Sequence, residues 1–81
     1  MYFLYLLQCA DGTLYTGITT DLERRLIEHN TSLRGAKYTR SRRPVALVYS
    51  KQFHSRAAAS SAESRIKKLT RAEKLALFQS S

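Results

Sequence analysis

Two short apolar runs separated by an Asp-Gly pair constrain this chain more than any other feature. Tyr2-Phe3-Leu4-Tyr5-Leu6-Leu7 is short, apolar and aromatic-rich, which predicts a strand buried on both faces. Leu14-Tyr15-Thr16-Gly17-Ile18 predicts its partner, and Asp11-Gly12 between them is a strong hairpin signal. The turn type decides which side chains share a face. A two-residue loop at Asp11-Gly12 would pair Ala10 with Thr13 and place Tyr5 and Tyr15 on opposite faces. A three-residue loop, Ala10-Asp11-Gly12, pairs Cys9 with Thr13 and makes Gly12 left-handed in a bulge. Tyr5 then lies opposite Gly17 and Leu7 opposite Tyr15, so both tyrosines share one face. The second register is favoured, because glycine stands where that turn needs a positive φ.

Further along, Thr20-Asp21-Leu22-Glu23 reads as a capping box opening a helix from about Asp21 to Asn30. Leu22, Leu26 and Leu33 set its apolar stripe. At ~100° per residue His29 falls inside the stripe, with Arg25 beside it one turn earlier, while Arg24 and Glu28 point elsewhere. Thr31 to Arg43 is basic and weakly patterned, a loop or a short helix. Pro44 to Tyr49 predicts a third strand, with Pro44 at its start, where a missing N–H does least harm. Ser55 caps a second helix running to about Leu69, with Ala58, Ala62, Ile66 and Leu69 facing inward. Thr70-Arg71-Ala72-Glu73 is a further capping box, opening a last helix that carries Leu75, Leu77 and Phe78. The order β-β-α-β-α-α predicts an α+β fold, a small antiparallel sheet with helices packed on it.

Length and charge narrow the function. A chain of 81 residues is expected to form one domain, 1–81, that buries only about 60% of its unfolded surface. No apolar run approaches the roughly 18 residues needed to span a bilayer. No basic region precedes the first apolar run, so a signal peptide is not expected. A lone Cys9 with two histidines makes neither an internal disulfide nor a zinc cluster, and the simplest setting is reducing and cytoplasmic. Fourteen Lys and Arg against six Asp and Glu give a net charge of +8. From His29 to Ala62 there is no acidic residue, while Arg34, Lys37, Arg40, Arg42 and Arg43 crowd the middle. Such an excess points to a polyanion, most often nucleic acid. A solubility surface is the plain alternative. A membrane surface is disfavoured, because the run is not an amphipathic helix with an aromatic face.

Tyr5, Tyr15, Arg25, His29 and Glu63 stand out as candidates for chemistry. Each also has an ordinary reading: core aromatics, a satisfied core histidine, Arg25 paired with Asp21 or Glu28, Glu63 paired with Lys67. Together they describe a phosphodiester site. Cleaving a phosphodiester needs an activated water, charge stabilisation at phosphorus and help for the leaving oxygen. A carboxylate-bound Mg²⁺ can activate the water and clamp phosphate oxygens. A guanidinium fits phosphate bidentately, and a phenol or imidazole can move the proton.

The sequence resembles the GIY-YIG superfamily, most closely its short single-domain bacterial members. The first motif stands here as Phe3-Leu4-Tyr5 and the second as Tyr15-Thr16-Gly17. The helix Asp21 to Asn30 carries the family's Arg and His one turn apart, and Glu63 with Ile66 and Lys67 matches its later metal-binding Glu. The first tripeptide lacks its Gly and Ile, and the second has Thr16 for Ile; both tyrosines remain. The resemblance implies a three-stranded antiparallel sheet flanked by helices, and divalent-metal nuclease chemistry on DNA with Mg²⁺ or Mn²⁺. Carried over, Glu63 binds the metal and Arg25 holds the scissile phosphate. Tyr5, with His29 assisting, orients or deprotonates the water, and Tyr15 stands beside the phosphate. A phenol titrates near 10, so Tyr5 as a base needs the metal, Arg25 or Lys37 nearby. Gly17 lets backbone approach the site closely.

The expectation is a metal-dependent DNA endonuclease that contacts nucleic acid through Arg34, Lys37, Arg40, Arg42 and Arg43. The alternatives are a non-catalytic nucleic-acid-binding module of the same fold, or a nuclease subunit whose protein partner supplies target recognition.

Overall fold

The computed structural model describes residues 1–31 and 37–79, the side chains of Lys37 and Tyr38 excepted. Leu33 of the expected helical stripe, and Arg34, therefore lie outside the described residues. Strand β1 (Tyr2–Gln8) pairs antiparallel with β2 (Leu14–Thr19) on one side and with β3 (Ala46–Phe53) on the other, giving the sheet order β2-β1-β3. The hairpin takes the three-residue turn. The Gly12 N–H donates to the Cys9 carbonyl over 2.9 Å, the Cys9 N–H to the Thr13 carbonyl over 2.8 Å, and Gly12 has φ +85°. Tyr5 consequently faces Gly17, and Leu7 faces Tyr15. Asp11 stabilises the turn by accepting from the Thr13 N–H at 3.1 Å and its hydroxyl at 2.6 Å. Those bonds hold its carboxyl below the usual carboxylate range.

Helix α1 (Leu22–Thr31) follows β2. Its N-terminus corrects the expected capping box: Asp21, not Thr20, accepts the Arg24 N–H at 3.1 Å, and the Thr19 hydroxyl in turn accepts the Asp21 N–H. Both neighbours can cap, and the end of β2 at Thr19 settles which one does. A four-residue helix α2 (Lys37–Arg40) stands between α1 and β3, so the ambiguous basic segment contains a helix that the expected order lacked. Strand β3 begins two residues beyond Pro44 and runs to Phe53, with a register shift between its pairings to Leu6 and Leu7. Ser55 caps α3 (Arg56–Lys67), its hydroxyl accepting the Ala58 N–H at 3.1 Å. Thr70 and Glu73 form the expected capping box of α4 (Arg71–Ala76).

The sheet divides two apolar layers. On one face Tyr5, Leu7, Cys9 and Val45 form a buried cluster, against which Tyr15 and the α1 residues Leu22 and Leu26 pack. On the other face Leu4 and Leu6 meet α3, which crosses all three strands. The α3 residues buried there are Ala59 and Ala62, whereas Ala58 is exposed. Three successive alanines, Ala57 to Ala59, leave the helix phase undetermined by sequence, and packing on the sheet selects the third and not the second. Among the described residues no helix is long and apolar enough to cross a membrane.

Candidate active site

Pleating brings Tyr5 and Tyr15 onto the α1 side of the sheet, with ring centroids 6.5 Å apart. The Tyr5 ring lies directly over Gly17 on the neighbouring strand. A Cβ at that position would fall 2.6 Å from Tyr5 Cζ, so only glycine leaves room for the ring. The close approach expected at Gly17 is thus taken up by the phenol of its strand partner. His29 drops from α1 between the two tyrosines, 5.8 Å from the Tyr5 ring and 5.3 Å from that of Tyr15, edge-on to both.

His29 is completely buried and bonded at both nitrogens: Nε2 stands 2.9 Å from the Tyr5 hydroxyl, and Nδ1 stands 2.8 Å from Thr39 Oγ1. Thr39, also completely buried, comes from α2 and carried no signal in the sequence, lying in a segment without apolar period. The charge of Arg25 acts on the Tyr5 phenol, and its Nη1 lies 3.0 Å from Glu28 Oε1. Glu28 therefore does not point away from the site. It bridges Arg25 and Arg24, whose Nε is 3.4 Å from its other oxygen.

These contacts set the charge states. Burial pushes the Tyr5 phenol above its ordinary value; the Arg25 hydrogen bond and charge oppose that, and Tyr15 and Glu63 reinforce it. Burial lowers the His29 imidazole to about 4, helped by the charges of Arg25 and Arg43 and opposed by Glu28, so His29 is neutral near pH 7. A neutral imidazole has one donor and one acceptor. One of the two His29 bonds, to Tyr5 or to Thr39, is therefore donated by the ring and the other accepted by it. Burial works against the charge of Arg25, yet its bonds to Tyr5 and Glu28 outweigh that and raise its pKa.

Glu63 approaches from α3. Its carboxylate lies 3.5 Å from Lys67 Nζ, and its charge also acts on the Tyr5 phenol. Among the described residues no three His, Cys, Asp or Glu side chains gather as a metal cluster. The donor set thus does not suit zinc. It does suit a hydrated Mg²⁺ or Mn²⁺, which keeps most of its waters and needs one or two carboxylates plus substrate phosphate. Glu63, with 22% of its side chain exposed, can supply that carboxylate.

The basic segment is less uniform than its sequence. Arg40 is exposed. Arg42 reaches back to the hairpin, its Nε 3.0 Å from Asp11 Oδ2. Arg43 donates to the carbonyls of His29 and Glu28 in the last turn of α1. The Lys37 side chain lies outside the described residues.

The fold agrees with comparisons to known proteins. Residues 1–76 match the family described as the GIY-YIG catalytic domain. The chain is 55% identical to UPF0213 protein DP2720 of Desulfotalea psychrophila over 80 residues, covering 99% of this chain and 73% of that one. It is 53% identical to UPF0213 protein VNG_2274C of Halobacterium salinarum, covering 96% and 100%. Among solved structures, the NMR structure of UPF0213 protein BH0048 from Bacillus halodurans matches with TM-score 0.57 at 45% identity, covering 91% of this chain and 79% of that chain. That of EF2693 from E. faecalis matches with TM-score 0.62 at 49% identity, covering 90% and 77%. Sequence, sheet order and relatives converge, and the chain belongs to the GIY-YIG family.

Proposed function

We propose that this chain is a divalent-metal-dependent endonuclease that hydrolyses phosphodiester bonds in DNA. The observation that carries the reading is the Tyr5 hydroxyl. It lies 2.9 Å from Nε2 of a neutral, buried His29, and the charges of Arg25 and of a carboxylate on α3 both act on it. A core tyrosine needs one hydrogen-bond partner, not a cation, a base and an acid converging on it.

Arg25 binds the scissile phosphate and stabilises the charge that builds on its oxygens. Doing so draws the guanidinium from Glu28, whose carboxylate holds it in the free protein. Tyr5 Oη takes a proton from the attacking water as its own proton passes to His29 Nε2. Incoming phosphate charge offsets the nearby arginines, so the imidazole becomes a better base when substrate is bound. Thr39 fixes the ring through its bond with Nδ1. Tyr15 flanks the phosphate. Glu63 holds the cation, which supplies Lewis-acid stabilisation and lowers the pKa of water. Arg40, with the basic segment around it, attracts the DNA backbone.

Nicking of supercoiled plasmid with Mg²⁺ or Mn²⁺ tests this reading. Glu63→Gln keeps the shape and removes the charge. It should drop nicking to background while DNA binding stays level or tightens, since a negative charge facing phosphate is gone. Undiminished metal-dependent nicking by Glu63→Gln would overturn the metal assignment. Absence of nicking by the wild type would leave a nucleic-acid-binding module of the same fold.

A further inference from the structure

Two clefts beside the start of α1 share a wall. One, of about 230 Å³, is lined by Arg24 and Arg25 with Asp21 and Glu28. The other, of about 260 Å³, is lined by Tyr2, Ile18 and Arg56. Thr19 and Thr20 line both. The two clefts adjoin at Thr19 and Thr20 at the end of β2, one on the side of Arg25 and the other on the side of the first residues of β1 and α3.

The two differ in chemistry. The first is ionic and internally paired, since both arginines bond Glu28. No carboxylate lines the second. Its guanidinium, Arg56, is exposed, and among the described residues no hydrogen bond or ion pair holds it. Other arginines near the site are engaged: Arg42 with Asp11, Arg43 with the end of α1. An uncommitted guanidinium beside an aromatic ring, an aliphatic side chain and two threonines matches one nucleotide. Phosphate takes the guanidinium, and a base takes the ring.

We propose that the cleft of Tyr2, Ile18 and Arg56 is a nucleotide subsite adjoining the scissile phosphate, and that it takes a nucleotide whose base is unpaired. The base stacks on Tyr2 beside Ile18, and its phosphate lies on Arg56. In a duplex both faces of a base are covered by its neighbours, so a ring can stack only on a base leaving the helix. This rests on the nuclease reading and deepens it: the substrate is DNA splayed or branched next to the bond that is cut.

The test is binding without cleavage. Fluorescence anisotropy in EDTA compares a blunt duplex with the same duplex carrying a forked, unpaired end. Tyr2→Ala should weaken the fork by about fivefold or more, as expected for losing one stacked base. It should leave the blunt duplex within about twofold, and Tyr2→Phe should restore the fork. Arg56→Ala should weaken the fork and lower its salt slope by about 0.7, one single-strand phosphate contact. Equal loss on both probes, or none, overturns the subsite. If Tyr2→Ala does not fold, the exposed Arg56 decides, and fork affinity unchanged in Arg56→Ala also overturns it. Plasmid nicking by the wild type, scored separately, reports on the nuclease reading alone.

Discussion

Tyr5 is held in place from below by a missing side chain and from above by a neutral histidine. Gly17→Ala would drive a methyl into the ring, 2.6 Å from Cζ. We expect a loss of about 1–3 kcal/mol in chemical denaturation, together with loss of nicking, because the phenol must leave its place. His29 makes a pH prediction. Its folded pKa of about 4 lies below the ordinary 6.5, so between those values the unfolded chain binds more protons. Stability is therefore full above about pH 6.5 and falls as pH drops towards 4, by roughly 3 kcal/mol. His29→Gln should flatten that part of a stability–pH profile; an unchanged profile would contradict a neutral buried His29. Thr16 gives a prediction of opposite sign. It is buried, and among the described residues its hydroxyl has no partner. Thr16→Val keeps the shape and removes the orphan group, so the denaturation midpoint should rise, by about 1 kcal/mol in stability.

The elements are tied together by side chains that serve as backbone partners. Asn30, near the end of α1, accepts the Val45 N–H at 2.8 Å and donates to the Val45 carbonyl at 3.1 Å, as a neighbouring strand would. Arg43 meets the carbonyls of the same helix end, where positive charge also suits the helix dipole. Together they fasten the end of α1 that carries His29 to the segment leading into β3. Asn30→Ala leaves two part-buried backbone groups without protein partners, and we expect a loss of about 1–3 kcal/mol. If the clamp positions His29, nicking should fall more than the residual stability explains. Measuring both on one preparation separates the effects. On the far side, Arg71 donates to the Gly12 carbonyl and fastens α4 to the hairpin turn.

At the scale of the molecule, the net charge of +8 is divided between structure and surface. Arg42 and Arg43 are committed to Asp11 and to α1, whereas Arg40 is exposed. DNA affinity should fall with salt, by about 0.7–0.9 in log–log slope per phosphate contacted. Arg40→Ala should remove about one such contact, weaken all sequences alike and leave the thermal midpoint unchanged. Arg43→Ala should lower the midpoint as well. A salt titration of both variants alongside their melting curves checks the division. Equal melting losses would show that charge alone, and not the α1 anchor, is what Arg43 provides.

Short-range chemistry determined the hairpin and the last cap from sequence. A turn that needs positive φ selects glycine at position 12, and the resulting pairing puts Tyr5 and Tyr15 on one face. Thr70 and Glu73 satisfy each other within one helical turn. The period of α1 likewise turned Arg25 and His29 inward. Tertiary structure decided what no local rule ranks. Thr20 and Asp21 are both competent caps, and the length of β2 chose Asp21. Ala58 and Ala59 are identical in chemistry, and contact with the sheet chose Ala59. Thr39 became the partner of His29 only when α2 was brought against α1. A basic run reads the same whether its guanidiniums face water or helix carbonyls. Position in sequence sets which bonds a side chain can make, and only the packing of distant segments sets which acceptors come within its reach.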